Sequence, residues 1–239
     1  MQNEIEYPIR INRYLYLKNY CSRRKADEMI EKGQVKVNGK LAVLGQKVNK
    51  DDKVEVGSEM KKMKQNYEYF AFNKPTGVVS HNPQEGEKSV DDFFPTNKKL
   101  APVGRLDKKS EGLMFLTNDG RIIDKMLNPK YEHEKEYSVR VDKEIKSNFI
   151  RKMSNGVDIE GYRTKPAQIT QSGPKSFRII LTEGKKHQIR RMCIALGYQV
   201  QNLKRLRIMN IQLAGLQTGE SRPLFQDEKM ELLKNINVI

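Results

Sequence analysis

Residues 57 to 66, GSEMKKMKQN, show neither strand alternation nor convincing helical spacing. A segment that can bury so little does not run through a core, so it is read as a linker that forces the 239-residue chain into two folding units. The smaller covers residues 1–60 with its core at 8–56, and the larger covers 67–239.

Local patterns set what each unit can be. Ile11, Tyr14 and Leu15 stand at i, i+3, i+4. After Ser22, a natural N-cap, Ala26, Met29 and Ile30 repeat that spacing until Gly33 supplies a stop. QVKVNGKLAV then alternates around an Asn38-Gly39 turn, and DDKVEV adds another alternating run, giving two short helices beside a small hairpin-bearing sheet. Beyond the linker, YEYFAFNKPTGVVS, EYSVRV, SFRIILTEG and MNIQLAGL read as strands, and RIIDKMLN, EIKSNFIRKMSNG and QIRRMCIALG as helices. The order has no regular βαβ alternation and no glycine-rich nucleotide loop. The expected class is therefore α+β, with a mixed, mainly antiparallel sheet in the larger unit.

Charge narrows the partner. Forty-five Lys+Arg against thirty Asp+Glu give a net +15, which points to a large polyanion, while 37% hydrophobic residues still supply a core. Residues 10 to 47 hold ten cations and three acids, concentrated in SRRK at the start of the second helix. Cations there oppose the helix dipole, by about 0.3–1 kcal/mol each when exposed. Arg23, Arg24 and Lys25 are accordingly read as a phosphate cradle, extended by Arg13, Lys36 and Lys40; a merely solvated basic face also fits. A second block, residues 184 to 207, has seven cations and no acid. From it Lys185, Lys186 and Arg191 are taken as contacts to the same polyanion.

Other classes drop out. Cys21 and Cys193 have no disulfide or zinc spacing, and His187, with only His81 and His133 elsewhere, makes a metal trio improbable. No basic-then-apolar leader opens the chain, and no apolar run approaches the ~20 residues of a membrane span. The expectation is a cytoplasmic protein without membrane, metal or cofactor, a monomer by default.

One acid stands out. In VGRLDKKSEGLMFLTNDG, Asp107 is flanked by Arg105, Lys108 and Lys109. A carboxylate gains nothing electrostatically on a surface that binds a polyanion, whereas neighbouring cations keep it ionised and available as nucleophile or base. Spacing alone also allows a turn cap or a partner of Arg105.

The run IRINRYL…CSRRKADEMIEKGQVKVNGK, residues 8 to about 56, resembles the S4 domain, a module whose presence implies structured RNA. The segment G-R-L-D-x-x-S-x-G-L-x-x-L-T-N-D-G resembles the pseudouridine synthases that modify bacterial ribosomal RNA. The likeness continues through FNKPTGVVS, HEKEYSVRVDK, EGKKHQIRRMCIALGYQV and LKRLRIMNIQLAGLQTGESRPL. In HEKEY, NFIRKMSNGV, RRMC and RIMN it is most similar to the F-type members of that class, which act on 23S ribosomal RNA. The resemblance implies that Asp107 is the essential aspartate, Tyr137 the active-site tyrosine, Arg190 the cation that pairs with Asp107, and Arg105 the residue that fills the gap left by a flipped base. It implies a stem-loop of 23S ribosomal RNA near the peptidyl-transferase region as substrate, with transfer RNA as the alternative.

The chemistry suits these residue types. Isomerising uridine breaks N1–C1′, turns the uracil and forms C5–C1′, so a carboxylate must attack the sugar or take its C2′ proton. Tyr137 shares a strand face with Val139 and Val141; its ring can stack on uracil and its phenol oxygen can take the C5 proton, although an ordinary core tyrosine also fits. Arg190 lies off the stripe Ile189, Met192, Cys193, Leu196, free to reach Asp107 or to remain a solvated surface arginine. Two other classes compete. An inactive RNA-binding factor has no use for all three groups, and a glycosidase needs two acids, whereas Glu111 and Asp119 are explained by turn and surface roles.

Overall fold

The computed structural model describes residues 6–18, 20–58, 67–94 and 100–238. The chain divides into two compact units, Met1–Tyr67 and Glu68–Ile239. Of the linker expected at 57–66, residues 59–66 lie outside the described residues; Gly57 is tied to the small unit, its N–H donating to the Gln34 carbonyl at 2.8 Å.

The small unit runs β1 (Ile9–Arg10), α1 (Ile11–Leu17), α2 (Arg23–Glu31), β2 (Val35–Val37), β3 (Lys40–Leu41), β4 (Lys47–Val48) and β5 (Val54–Val56). Ser22 caps α2 by accepting the Lys25 N–H at 3.3 Å, and Gly33 leaves the helix at φ +68°. Asn38 and Gly39 both take positive φ, 51° and 80°, so a two-residue turn sets Val37 opposite Lys40. β5 pairs with the other edge of β2, and β1 pairs with β4. Ile11, Leu15, Ala26, Met29, Ile30 and Val35 form the core beneath.

The larger unit continues with β6 (Tyr69–Lys74), β7 (Ala101–Pro102), β8 (Glu111–Thr117), α3 (Arg121–Leu127), β9 (Lys135–Val141), α4 (Ser147–Ser154), β10 (Asp158–Ile159), β11 (Tyr162–Arg163), β12 (Gln168–Gly173), β13 (Ser176–Leu181), α5 (Gln188–Ala195), β14 (Val200–Ile208), β15 (Ile211–Gln212), β16 (Ser221–Pro223) and α6 (Gln226–Asn235). Its main sheet has the order β12-β13-β9-β14-β8-β6-β16, antiparallel except where β14 meets β8. This is the α+β architecture that the irregular element order implied.

Two details differ from the sequence reading. Of MNIQLAGL only Ile211 and Gln212 are strand; Ala214 and Gly215 turn through positive φ. Inside the basic block, Val200–Ile208 is a strand clamped between β9 and β8. Long-range pairing, invisible in local spacing, makes it one.

Two apolar clusters flank the sheet. Val139, Phe149, Phe177, Ile179 and Met192 belong to one, and Phe72, Val78, Leu106, Met114 and Leu116 to the other. Tyr137 packs against both, so the tyrosine stands where the two cores meet.

Candidate active site

A cavity of about 490 Å³ opens in the larger unit, walled by the turn that carries Asp107, by β9 and β14, and by the loop entering α5. The turn is fixed on both sides of the aspartate. Ser80 Oγ donates to the Leu106 carbonyl at 2.8 Å and accepts the Leu106 N–H at 3.1 Å, while the Leu106 side chain is buried in the core. Ser110 N–H closes onto the Asp107 carbonyl at 2.9 Å, and Gly77 N–H binds the Lys108 carbonyl at 2.8 Å. Asp107 itself is half-exposed and lines the cavity. A half-exposed carboxylate whose backbone is held on both sides is suited to reacting with a bound group.

Its nearest side-chain partner of ion-pair type is His187, whose Nε2 lies 3.4 Å from Oδ1, a contact that is ionic when the imidazole carries its second proton. His187 sits at the entrance to α5 with φ +52°, a conformation that costs a non-glycine residue about 1 kcal/mol. Tyr137 also lines the cavity; its phenol oxygen makes no hydrogen bond among the described residues.

Arg190 requires a correction. Rather than pairing with Asp107, it donates to the Lys109 carbonyl at 2.9 Å, to Ser110 Oγ at 3.2 Å and to the Val200 carbonyl at 3.2 Å. Its fork fits the carbonyls exposed where the turn leaves Asp107, so the arginine ties α5 to that turn. Arg191 likewise is committed, to the Ile159 carbonyl at 3.1 Å and Glu160 at 2.7 Å, and does not present a free charge to RNA. Arg105, Lys185 and Lys186 are exposed and line the cavity, with Lys185 over the Tyr162 ring.

In the small unit Arg13, Arg23, Arg24, Lys36 and Lys40 are exposed, with no acidic residue in the first turn of α2. Lys25 departs from the cradle: it is half-buried and bridges to Glu28 at 2.7 Å. The two remaining acids are structural. Asp119 is fully buried, accepting from the Tyr69 hydroxyl and Arg121, so its surface role is overturned; Glu111 accepts from Asn202.

Several cavity groups had no signal in the sequence. All three histidines line it, and so do Lys135 and Arg205. Lys74, wholly buried, donates to the carbonyls of Pro75 and Val78; burial pulls it down to about 8 against the opposing influence of Asp107. Burial and then Arg205 hold Lys135 below the ordinary lysine value. Only the assembly of β9, β14, β8 and β6 into one sheet brings these cations together.

Comparison with known proteins gives this geometry its chemistry. Residues 9–54 match the S4 domain family and residues 68–195 the RNA pseudouridylate synthase family. Over 231 residues the chain is 45% identical to the "Dual-specificity RNA pseudouridine synthase RluF" of Escherichia coli (strain K12), covering 95% of this chain and 79% of that protein. It is 39% identical over 221 residues to the "Ribosomal large subunit pseudouridine synthase B" of Bacillus subtilis (strain 168), covering 89% and 90%. A crystal structure of a pseudouridylate synthase matches with a TM-score of 0.70 at 29% identity, over 94% of this chain and 99% of that one. With an S4 module ahead of a catalytic unit matched at this level, the chain belongs to the RNA pseudouridylate synthase family and isomerises uridine to pseudouridine.

Proposed function

We propose that the substrate is a uridine in large-subunit ribosomal RNA, in a stem-loop or bulged helix near the peptidyl-transferase region, and that Asp107 is the catalytic carboxylate. The observation that carries the reading of the site is the fixed turn: Asp107 stands at the cavity beside Tyr137, whose phenol oxygen is unengaged among the described residues. The uridine leaves its stack to enter the cavity, and exposed Arg105 is suited to occupy the gap. Asp107 then acts at C1′ or at the C2′ proton. Tyr137 stacks on the freed uracil and its oxygen takes the C5 proton once C5–C1′ has formed. The enzyme works as a monomer without cofactor, in the cytoplasm, where ribosomal RNA is transcribed.

The exposed cations of the small unit grip phosphates around the loop. The deep, narrow major groove of A-form RNA hides base edges from side chains, so the fold around the uridine identifies the site. The name of the Bacillus subtilis relative supports the large ribosomal subunit. A second reading adds a transfer RNA as a further substrate; the name of the Escherichia coli relative records dual specificity without naming the two RNAs. Isolated stem-loops test the first reading: a natively folded stem-loop of 23S ribosomal RNA should be modified, and a variant that keeps the sequence but abolishes the loop or bulge should not. Equal modification of both, or modification confined to small-subunit RNA, would overturn the assignment.

A further inference from the structure

Arg205, on β14, is a cation with an unusual position. It is only 4% exposed, it lines the cavity, and no carboxylate pairs with it among the described residues. Its Nε donates to the Leu113 carbonyl at 2.7 Å and its Nη1 reaches the Arg105 carbonyl at 3.5 Å; Nη2 is buried without any partner. Two residues along the same strand, Arg207 has two glutamates, Glu134 at 2.8 Å and Glu136 at 3.3 Å. An arginine buried purely for stability would be matched in the same way, because removing an unpaired charge from water is expensive.

The backbone is shaped to keep Arg205 where it is. Gly112, opposite it on β8, has φ +105°, and a Cβ there would lie 2.3 Å from the Arg205 carbonyl oxygen and 2.7 Å from its nitrogen. The strands close to this distance only because residue 112 has no side chain. Burial, and after it Arg205, holds Lys74 and Lys135 below the ordinary lysine value, while Asp107 acts in the opposite sense on Lys74. Arg205 and Lys135 thus both bring positive charge to the cavity wall, Arg205 in surroundings closed off from water, where a fixed charge acts far more strongly than in solvent.

The reaction supplies a matching negative charge. When N1–C1′ breaks, its electron pair leaves with the uracil, which becomes a monoanion spread over N1, O2 and O4. C1′ is meanwhile captured by Asp107 as an ester, or relieved by loss of the C2′ proton to Asp107. When C5–C1′ forms, the uracil gives an electron pair back to C1′ as the ester C1′–O bond breaks and frees the Asp107 carboxylate, or as Asp107 returns the proton to C2′; C5 then loses its proton and N1 gains one. Negative charge on the ring exists only between these two events. We propose that Arg205 stabilises the departing uracil as an anion, acting by its fixed charge from the cavity wall. This role rests on the cavity being the isomerisation site.

Single-turnover rates on one stem-loop RNA test it, with uridine or the more acidic 5-fluorouridine at the target and loss of the original nucleoside as readout. Arg205→Met keeps the stem and removes the charge; it should slow uridine by about 100-fold, the scale for removing one preorganised electrostatic partner, with RNA affinity within a few-fold. On 5-fluorouridine, a better leaving group, the defect should shrink to about 10-fold or less. Arg205→Lys, which keeps the charge, should recover most of the rate. An equal defect on both bases, loss of RNA affinity in step with rate, or no rescue by lysine would overturn the role. If Arg205→Met does not fold, Lys135→Met is judged by the same ratio of defects on the two bases. Asp107→Asn serves as the reference: its continued turnover would instead refute the cavity as the site.

Discussion

Both units of this enzyme are rich in cations, and they hold them in opposite ways. On the small unit Arg13, Arg23, Arg24, Lys36 and Lys40 stand exposed, with no carboxylate bridged to them among the described residues. Around the cavity of the larger unit Lys74 and Arg205 are closed off from water, and Lys135 is half-buried. An exposed charge keeps its hydration, is screened by salt and suits a repetitive phosphate backbone. A buried charge loses hydration and gains field strength, which suits a reaction that moves charge. On the proposed reading the difference separates gripping RNA from changing it, and each kind of cation can be removed while the other is left in place.

Replacing the carboxylate should give the cleanest break. Asp107→Asn is expected to reduce isomerisation by about 10⁴-fold or more, the scale on which loss of a reacting side chain acts. RNA affinity should stay within a few-fold, because no phosphate contact is lost; a binding assay beside a turnover assay checks both. Tyr137→Phe comes next: the ring still stacks but the oxygen is gone, so turnover should fall by about 10²-fold, the lower range for a general base, with binding retained. Near-normal rates would make the oxygen dispensable.

The small unit should answer to salt instead. Replacing Arg23 and Arg24 with alanine should lower the slope of log K against log salt by somewhat less than one per lost phosphate contact, about 0.7–0.9, and leave the rate at saturating enzyme unchanged. Lys25, already bridged to Glu28, should add less than either arginine. An unaltered slope in the double variant would contradict the cradle at the start of α2.

Lys74 should give the smallest effect. Its folded pKa is about 8, below the ordinary value of 10.5, so between those values the unfolded chain binds more protons and stability rises with pH. Above about pH 10 the buried Tyr69 phenol, pushed up by burial, works in the opposite direction. That contribution is common to the wild type and Lys74→Met. From pH 8 upward the wild type should therefore gain stability relative to Lys74→Met, as read by denaturant midpoints. A pH-independent difference would show that Lys74 holds its ordinary pKa in the fold.

The two units are also unequally legible. The small one is built from local signals: the Ser22 cap, the Gly33 stop and the two-residue turn at Asn38-Gly39 each decide their own few residues. In the larger unit, GLMFLT on β8 is buried on both faces and shows no alternation, and β14 lies within what reads as a basic block. The final helix, Gln226–Asn235, buries only Leu232 and Leu233 and leaves little periodicity to detect.

Site residues follow the same division. Asp107 stands out because an acid among cations is anomalous in the sequence itself. Arg205 reads as one more surface cation, since its burial depends on Gly112, which lies far away in the chain. The preference of Arg190 for the Lys109 carbonyl over Asp107 depends on where the turn leaves its free oxygens, and no spacing rule encodes that.

The central claim is that Asp107 in this cavity converts uridine in large-subunit ribosomal RNA. The most direct measurement is carbodiimide mapping of pseudouridine across ribosomal RNA from cells that lack the protein, re-supplied with either the wild type or Asp107→Asn. Loss of one or a few large-subunit pseudouridines in the null cells, restored by the wild type and not by Asp107→Asn, is the predicted result. An unchanged map, a loss confined to small-subunit RNA, or restoration by Asp107→Asn would contradict it.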